Sequence, residues 1–199
     1  MENIVKQVDA AFLYIIVFSL ALLLLVTGVM VYFLFRYRKE RSPEAADIRG
    51  NPLLELVWTL VPTLIALSMF YVGWQSFLGL RGVPKDALDI RVTGMQFAWV
   101  FKYPDGKRSE GLLVVPLGRA VKITLTSLDV IHGFYVPGFR IKMDARPNMK
   151  TYTWFYAGRP GTYKVFCSQY CGKGHADMMA DIRVVPESDY LDWLRGKIK

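Results

Sequence analysis

The sequence predicts a membrane-anchored all-β protein, with a hairpin of two transmembrane helices over residues 1–80 and an external β-sandwich or barrel over 81–199. Three observations predict it. Residues 11–35 and 56–80 each run for 25 positions without a charged side chain, and a bilayer crossing takes about 20 apolar residues. Arg36, Arg38, Lys39, Arg41 and Arg49 crowd the segment between these runs, against Lys6 alone before the first. Beyond residue 81 the pattern changes to short stretches rich in valine, isoleucine, threonine and aromatics.

Each element follows from its residues. Two buried helices of a soluble core would carry charges on their solvent face, and these runs carry none, so both are read as membrane spans of about 11–35 and 56–80. The basic bias places the segment between the spans on the cytoplasmic side. Both termini and the β domain then face outward, into the periplasm or its equivalent, a compartment that oxidises thiols.

Residues 81–88, with Gly82 and Pro84, read as the linker out of the membrane. Strands are expected at 89–93, 96–103, 111–115, 120–126, 131–136, 150–156, 162–167 and 179–185, with one closing helix over 187–197. Pro104-Asp105-Gly106, Pro116-Leu117-Gly118 and Gly158-Arg159-Pro160-Gly161 punctuate them as turns. Val121-Lys122-Ile123-Thr124-Leu125 alternates as a half-buried strand does. Many short strands with no βαβ alternation argue for a sandwich or barrel.

Charge is divided as sharply as hydropathy. Residues 1–80 carry six basic and six acidic side chains, so the formal +8 falls on residues 81–199. A basic outer surface could attract nucleic acid, anionic lipid or an acidic protein. No arginine-rich run or nucleic-acid motif occurs, so no nucleic-acid partner is expected, and an acidic protein or the lipid bilayer remains.

The chemistry concentrates in one loop. Cys167 and Cys171 are the only cysteines, and they share twelve residues with His175 and Met178. Cys167, Cys171 and His175 are spaced four apart, with Met178 three further on, and Gly172 and Gly174 permit sharp turns among them. The second histidine, His132, lies in a separate apolar segment that the fold must bring in. Two thiolates, two imidazoles and a thioether suit copper better than calcium, magnesium or iron, and two thiolates hint at two metal ions. Other readings are a Cys167–Cys171 disulfide, a structural zinc site and a copper-delivery protein with a CxxxC pair.

The chain resembles subunit II of haem–copper cytochrome c oxidases over nearly its whole length. The family loop CxxxCxxxHxxM is present as Cys167, Cys171, His175 and Met178. Its D-V-x-H-x-x-x-V-P segment is Asp129-Val130-Ile131-His132-Gly133-Phe134-Tyr135-Val136-Pro137, and K-x-D-A-x-P is Lys142-Met143-Asp144-Ala145-Arg146-Pro147. The lead-in R-P-G-x-Y recurs as Arg159-Pro160-Gly161-Thr162-Tyr163. The resemblance implies a cupredoxin-like Greek-key barrel with a dinuclear copper centre bridged by both thiolates. His132 and His175 would bind one copper each, completed by Met178 on one side and the Gln169 backbone carbonyl on the other. It further implies an electron-accepting subunit that takes electrons from a cytochrome c-like donor and passes them to haem in subunit I, where oxygen is reduced to water. A nitric oxide reductase subunit of the same superfamily is the close alternative.

Secondary positions come from the same resemblance. Glu55 opens E-x-x-W-T, where the family carries a carboxylate at the mouth of a proton channel; the alternative is a glutamate solvated at headgroup level. Gly94-Met95-Gln96-Phe97-Ala98-Trp99 matches G-x-Q-W-x-W, with Phe97 in place of the tryptophan that usually receives the electron. On a strand Trp99 would share a face with Phe97, so either is a candidate electron port or plain barrel packing. Gln169 stands where the family more often has glutamate, and a neutral amide leaves magnesium at the subunit junction open. The basic domain favours an acidic or tethered donor. No CxxCH occurs, so haem is expected only in a partner subunit.

Overall fold

The computed structural model describes residues 4–44, 47 and 49–197. The chain divides into a helical unit, Lys6–Leu78, and a unit that holds every described strand from Gly79 onward. Helices α1 (Ile4–Arg36) and α2 (Pro52–Arg81) enclose the two charge-free runs and continue past them. Spanning hydrocarbon takes only about 20 residues, and a helix keeps its backbone hydrogen-bonded as it passes into the interface.

Local chemistry sets where α2 begins. Asn51 Oδ1 accepts the backbone N–H groups of Leu53 at 3.1 Å and Leu54 at 3.2 Å. Pro52 takes the first helical position, where a missing N–H leaves nothing unpaired. Inside the helix Pro62 removes one donor, and Thr63 Oγ1 donates to the Thr59 carbonyl at 2.6 Å one residue on. The side chains of α2 are apolar all round and none is buried, the pattern of a helix that faces lipid. A hydroxyl pair, Tyr14 and Ser68 at 2.8 Å, ties the two spans together.

Among the described residues the external unit has ten strands. They are β1 (Leu88–Met95), β2 (Ala98–Lys102), β3 (Arg108–Glu110), β4 (Leu112–Pro116), β5 (Ala120–Ser127), β6 (His132–Val136), β7 (Ile141–Ala145), β8 (Thr151–Tyr156), β9 (Gly161–Cys167) and β10 (Met179–Val185). Helix α3 (Glu187–Leu194) follows and buries Tyr190 and Trp193. All eight expected segments form strands, and the closing helix ends at Leu194, three residues short of its expected end. Two strands lie outside the expectation: β3, which is short and largely charged, and β7.

Two five-stranded sheets result, ordered β3-β2-β1-β5-β8 and β4-β10-β9-β6-β7. Two pairings, β1 with β5 and β4 with β10, are parallel, so neither sheet is a simple meander. Strands alternate inward and outward, and the inward set (Ile90, Val92, Phe101, Leu113, Ile123, Leu125, Phe134, Val165 and Ile182 among them) is almost fully buried. Burying an aliphatic or aromatic side chain of this size contributes about 1.5–3 kcal/mol, so the inner faces hold the sheets together. The Tyr103 hydroxyl is satisfied inside this core, donating to the Val114 carbonyl at 2.9 Å and accepting the Val114 N–H at 2.8 Å.

Candidate metal centre

Strand register brings the separated histidine to the cysteine loop. Phe134 on β6 lies opposite Cys167 on β9, and His132 is two residues before Phe134 on the same face. Cys167 ends β9 and Met178 immediately precedes β10, the two joined by the Cys167 N–H donating to the Met178 carbonyl at 3.2 Å. The intervening loop closes on itself through a short 3₁₀ turn, His175–Asp177, with the His175 N–H on the Gly172 carbonyl at 3.1 Å. At its start the Ser168 N–H donates to the Gly133 carbonyl at 2.8 Å.

Six donor atoms gather in this way. Cys167 Sγ lies 3.8 Å from Cys171 Sγ, 3.9 Å from His132 Nδ1 and 3.2 Å from the Gln169 carbonyl oxygen. Cys171 Sγ lies 3.7 Å from His175 Nδ1 and 3.8 Å from Met178 Sδ. Bonds of about 2.0–2.3 Å from a tetrahedral metal put neighbouring donors roughly 3.3–3.8 Å apart, so the spacing fits ligands around a metal. It does not fit a disulfide, in which sulfurs are about 2.05 Å apart, and both cysteines are free. His132, Cys167 and Cys171 form the tightest group, with ligand atoms within 4.8 Å of one another, and His175 approaches from the Cys171 side. His132 thus lies on the Cys167 side of the sulfur pair and His175 on the Cys171 side.

Electrostatics favours a soft cation at this point. Burial pushes the Cys171 thiol up to about 11, and the adjacent Cys167 sulfur adds to the shift. The Cys171 thiol therefore stays protonated by itself, and a soft cation is what would hold it as a thiolate.

Several residues that shape the site lie inside the matched motifs, where their long-range contacts are not legible. Asp129 Oδ1 meets His132 Nε2 at 2.7 Å, which turns Nδ1 toward the sulfurs. Burial alone would raise the Asp129 carboxyl, but the His132 ring and the Gln96 and Val130 N–H groups outweigh it and hold the group at about 2. This depressed value means that the stabilisation is fully present above the ordinary carboxylate range and is lost only as pH falls toward 2. The Asp-x-x-His spacing is the sequence signal for the contact. Gln96 belongs to the G-x-Q-W-x-W match, but the contact its amide makes with the Cys171 carbonyl at 2.5 Å spans 75 residues and leaves no local signal. Gly94 matters for space: a Cβ there would meet the His132 ring at 3.0 Å and the Trp99 ring at 3.1 Å.

Phe97 and Trp99 do not share a face. Strand β2 begins at Ala98, so Phe97 sits in the β1–β2 turn and is 38% exposed, while Trp99 points inward and is fully buried. The turn breaks the alternation that a continuous strand over 96–103 would have kept. Phe97 covers Gly172 and Gly174 of the metal loop, and a Cβ on Gly174 would lie 2.5 Å from its ring. Trp99 packs edge-on against His132, with ring centroids 5.9 Å apart. Gln169 sends its side-chain amide to Asp144 Oδ1 at 3.3 Å, at the edge of a cleft of about 650 Å³ that Val130, Ile131 and Tyr170 also line. Glu55 lies in the first turn of α2, with Oε1 close to Gly50.

The fold and the site together define a membrane-anchored, cupredoxin-like protein with a thiol–imidazole–thioether cluster between two strands. Residues 1–77 match the family profile of the cytochrome c oxidase subunit II transmembrane domain, and residues 107–185 that of its periplasmic domain. The alternative cytochrome c oxidase subunit 2 of Bradyrhizobium diazoefficiens is 34% identical, over 83% of this chain and 71% of the relative. Cytochrome c oxidase subunit 2 of Thermostichus vulcanus is 31% identical, over 94% of this chain and 74% of the relative. Among solved structures, the periplasmic domain of subunit II of the cytochrome oxidase of Bradyrhizobium japonicum superposes with a TM-score of 0.56 at 34% identity, covering 58% of this chain and 96% of that one. The chain belongs to the cytochrome c oxidase subunit II family. It is therefore a membrane-bound subunit of a cytochrome c oxidase, with its β domain outside, in a family whose members bind copper.

Proposed function

We propose that this chain is the electron-accepting subunit of a terminal oxidase, taking electrons from a cytochrome c-like donor outside and delivering them to haem in subunit I, where oxygen is reduced to water. The observation that carries the reading is the sulfur pair with a histidine at each end, a methionine thioether and the Gln169 carbonyl at ligand spacing. Cys167, Cys171, His132, His175, Met178 and the Gln169 carbonyl would hold the copper, with His132 on the Cys167 side and His175 and Met178 on the Cys171 side. Copper bound there would supply one-electron redox chemistry.

The protein's own part is rigidity. Cys167 and His132 are fixed by strands, Met178 is tied to Cys167 through the backbone, and Gln96 holds the Cys171 carbonyl. Ligands held on both sides move little when charge arrives, which favours fast transfer. Phe97, exposed over the loop glycines, is the side chain placed to meet a donor, whereas buried Trp99 supports His132 from behind. Exposed Leu128, Val130, Ile131 and Tyr170 form an apolar rim of the kind that docks protein partners. Residues 1–80 serve as anchor and 81–199 as the copper domain, both termini lie outside, and Glu55 admits protons from the cytoplasmic side. The basic outer domain selects an acidic or tethered donor.

The direct test is copper content and EPR of the full chain in detergent. Two coppers per chain, with one unpaired electron shared between two copper nuclei, are expected; a single copper or a zinc would sink the proposal. Asp129→Ala provides a second check. Loss of a hydrogen bond that orients a metal-bound histidine costs about 10–100-fold in metal affinity, so competition with a copper chelator should show a drop of that size. Unchanged affinity would mean that Gly94 and Trp99 alone orient the His132 ring.

A further inference from the structure

We propose that the cleft between the end of α2 and the outer face of β5 and β8 binds the phosphodiester headgroup of an anionic phospholipid. Its volume is about 580 Å³, and Arg81, Lys85, Lys122, Asp89 and Tyr152 line it. Arg81 closes the second span directly after 25 uncharged positions, which sets it at the level of the outer headgroups. A terminal arginine of a span ordinarily extends freely toward water. Here the guanidinium stacks over the Tyr152 ring on β8, with its carbon 4.4 Å from the centroid, and so becomes one wall of the cleft.

The charge of the cleft is unbalanced. Asp89 is committed to Lys122 Nζ at 3.0 Å and to Thr124 Oγ1 at 2.9 Å. Among the described residues no carboxylate pairs with Arg81 or Lys85. Register extends the positive face across the same sheet, with Arg91 opposite Lys102 and Lys102 opposite Arg108. A planar guanidinium beside the uncommitted Lys85 ammonium matches a singly charged phosphodiester, which the arginine can take in bidentate fashion. A zwitterionic headgroup carries its own cation and gains much less from such a cleft.

The test uses the full chain reconstituted in phosphatidylcholine vesicles with and without phosphatidylglycerol. After extraction in mild detergent, native mass spectrometry counts the lipids retained. Preferential retention of phosphatidylglycerol is expected, falling about tenfold in the double variant Arg81→Gln/Lys85→Gln, the loss of roughly one charge-assisted contact. A matched control, Arg159→Gln/Arg183→Gln, removes the same charge away from the cleft and should keep the preference; copper loading, indifferent to this cleft, reports that each variant folds. Equal retention of the two lipids, or equal loss in the control pair, would overturn the proposal. Displacement of the lipid by millimolar inorganic phosphate would overturn it too, since the cleft would then be a site for free anions.

Discussion

A chain carrying Cys171→Ser is expected to fold, to bind at most one copper and to lose electron uptake from its donor to background. The size of the effect follows from where that sulfur sits. Cys171 Sγ is the atom through which His175 Nδ1 at 3.7 Å and Met178 Sδ at 3.8 Å join the rest of the cluster. Cys167 Sγ, His132 Nδ1 and the Gln169 carbonyl form the other side. A serine hydroxyl is nearly the size of the thiol but ionises far less readily and is a poor ligand for a soft metal. The substitution therefore separates the two halves while disturbing packing little. Metal analysis and EPR distinguish the outcomes: a signal confined to one copper nucleus supports bridging thiolates. Two coppers still sharing an electron in the variant would show that the cysteines do not bridge. Met178→Leu is the instructive contrast, because it keeps both sulfurs and should leave two coppers with an altered reduction potential.

Much of this architecture is legible in the sequence because its signals are local. Two charge-free runs, a basic segment between them and a loop holding every cysteine need no knowledge of distant contacts. The limits are also local ones. Strand β3 is three residues, two of them charged, and exists because β2 offers it a ladder from Val100 to Lys102. Strand β7 follows a 3₁₀ turn and Arg140, whose φ of 56° is left-handed, so periodicity restarts there without a glycine to announce it. Phe97 reads as part of a strand because its neighbours are strand-like, yet the chain turns at Gln96 and Phe97 to lay both side chains on the metal loop.

The same division holds at the site. Cys167, Cys171, His175 and Met178 share one short segment, and the softness of these ligands points to copper from their types alone. What orients them is long-range. Gln96 reaches Cys171 across 75 residues, and His132 approaches Cys167 across 35. Asp144 receives the Gln169 amide across 25 residues, so the departure from glutamate at position 169 acquires a partner only in the folded chain. Residues that pack around a metal loop answer to the tertiary fold, and a window of sequence does not contain it.

Gly133→Ala should destabilise the external domain by about 1–3 kcal/mol, the usual range for overpacking a tight interior, and weaken copper binding with it. Intrinsic preference points the other way. Alanine in a strand at an ordinary φ normally gains about 0.5–1 kcal/mol over glycine, and Gly133 is not among the glycines with a left-handed φ. The sign is reversed by proximity to the metal loop. A Cβ on Gly133 would collide with Ser168 Oγ and would lie 3.0 Å from the Gln169 backbone nitrogen and 3.1 Å from Gln169 Cγ. Ser168 is also pinned at this point, since its N–H donates to the Gly133 carbonyl at 2.8 Å. No hydrogen bond among the described residues holds the hydroxyl in place, but the Gln169 backbone cannot yield without moving its carbonyl away from Cys167. Ser168→Gly in the same chain should therefore restore part of the stability and little of the copper affinity. Thermal melts and chelator competition on the two single variants and the double variant measure the coupling directly. A Gly133→Ala chain that melts no lower than the parent and holds copper as tightly would show that the loop gives way to β6, and that the strand does not set the position of the Gln169 carbonyl.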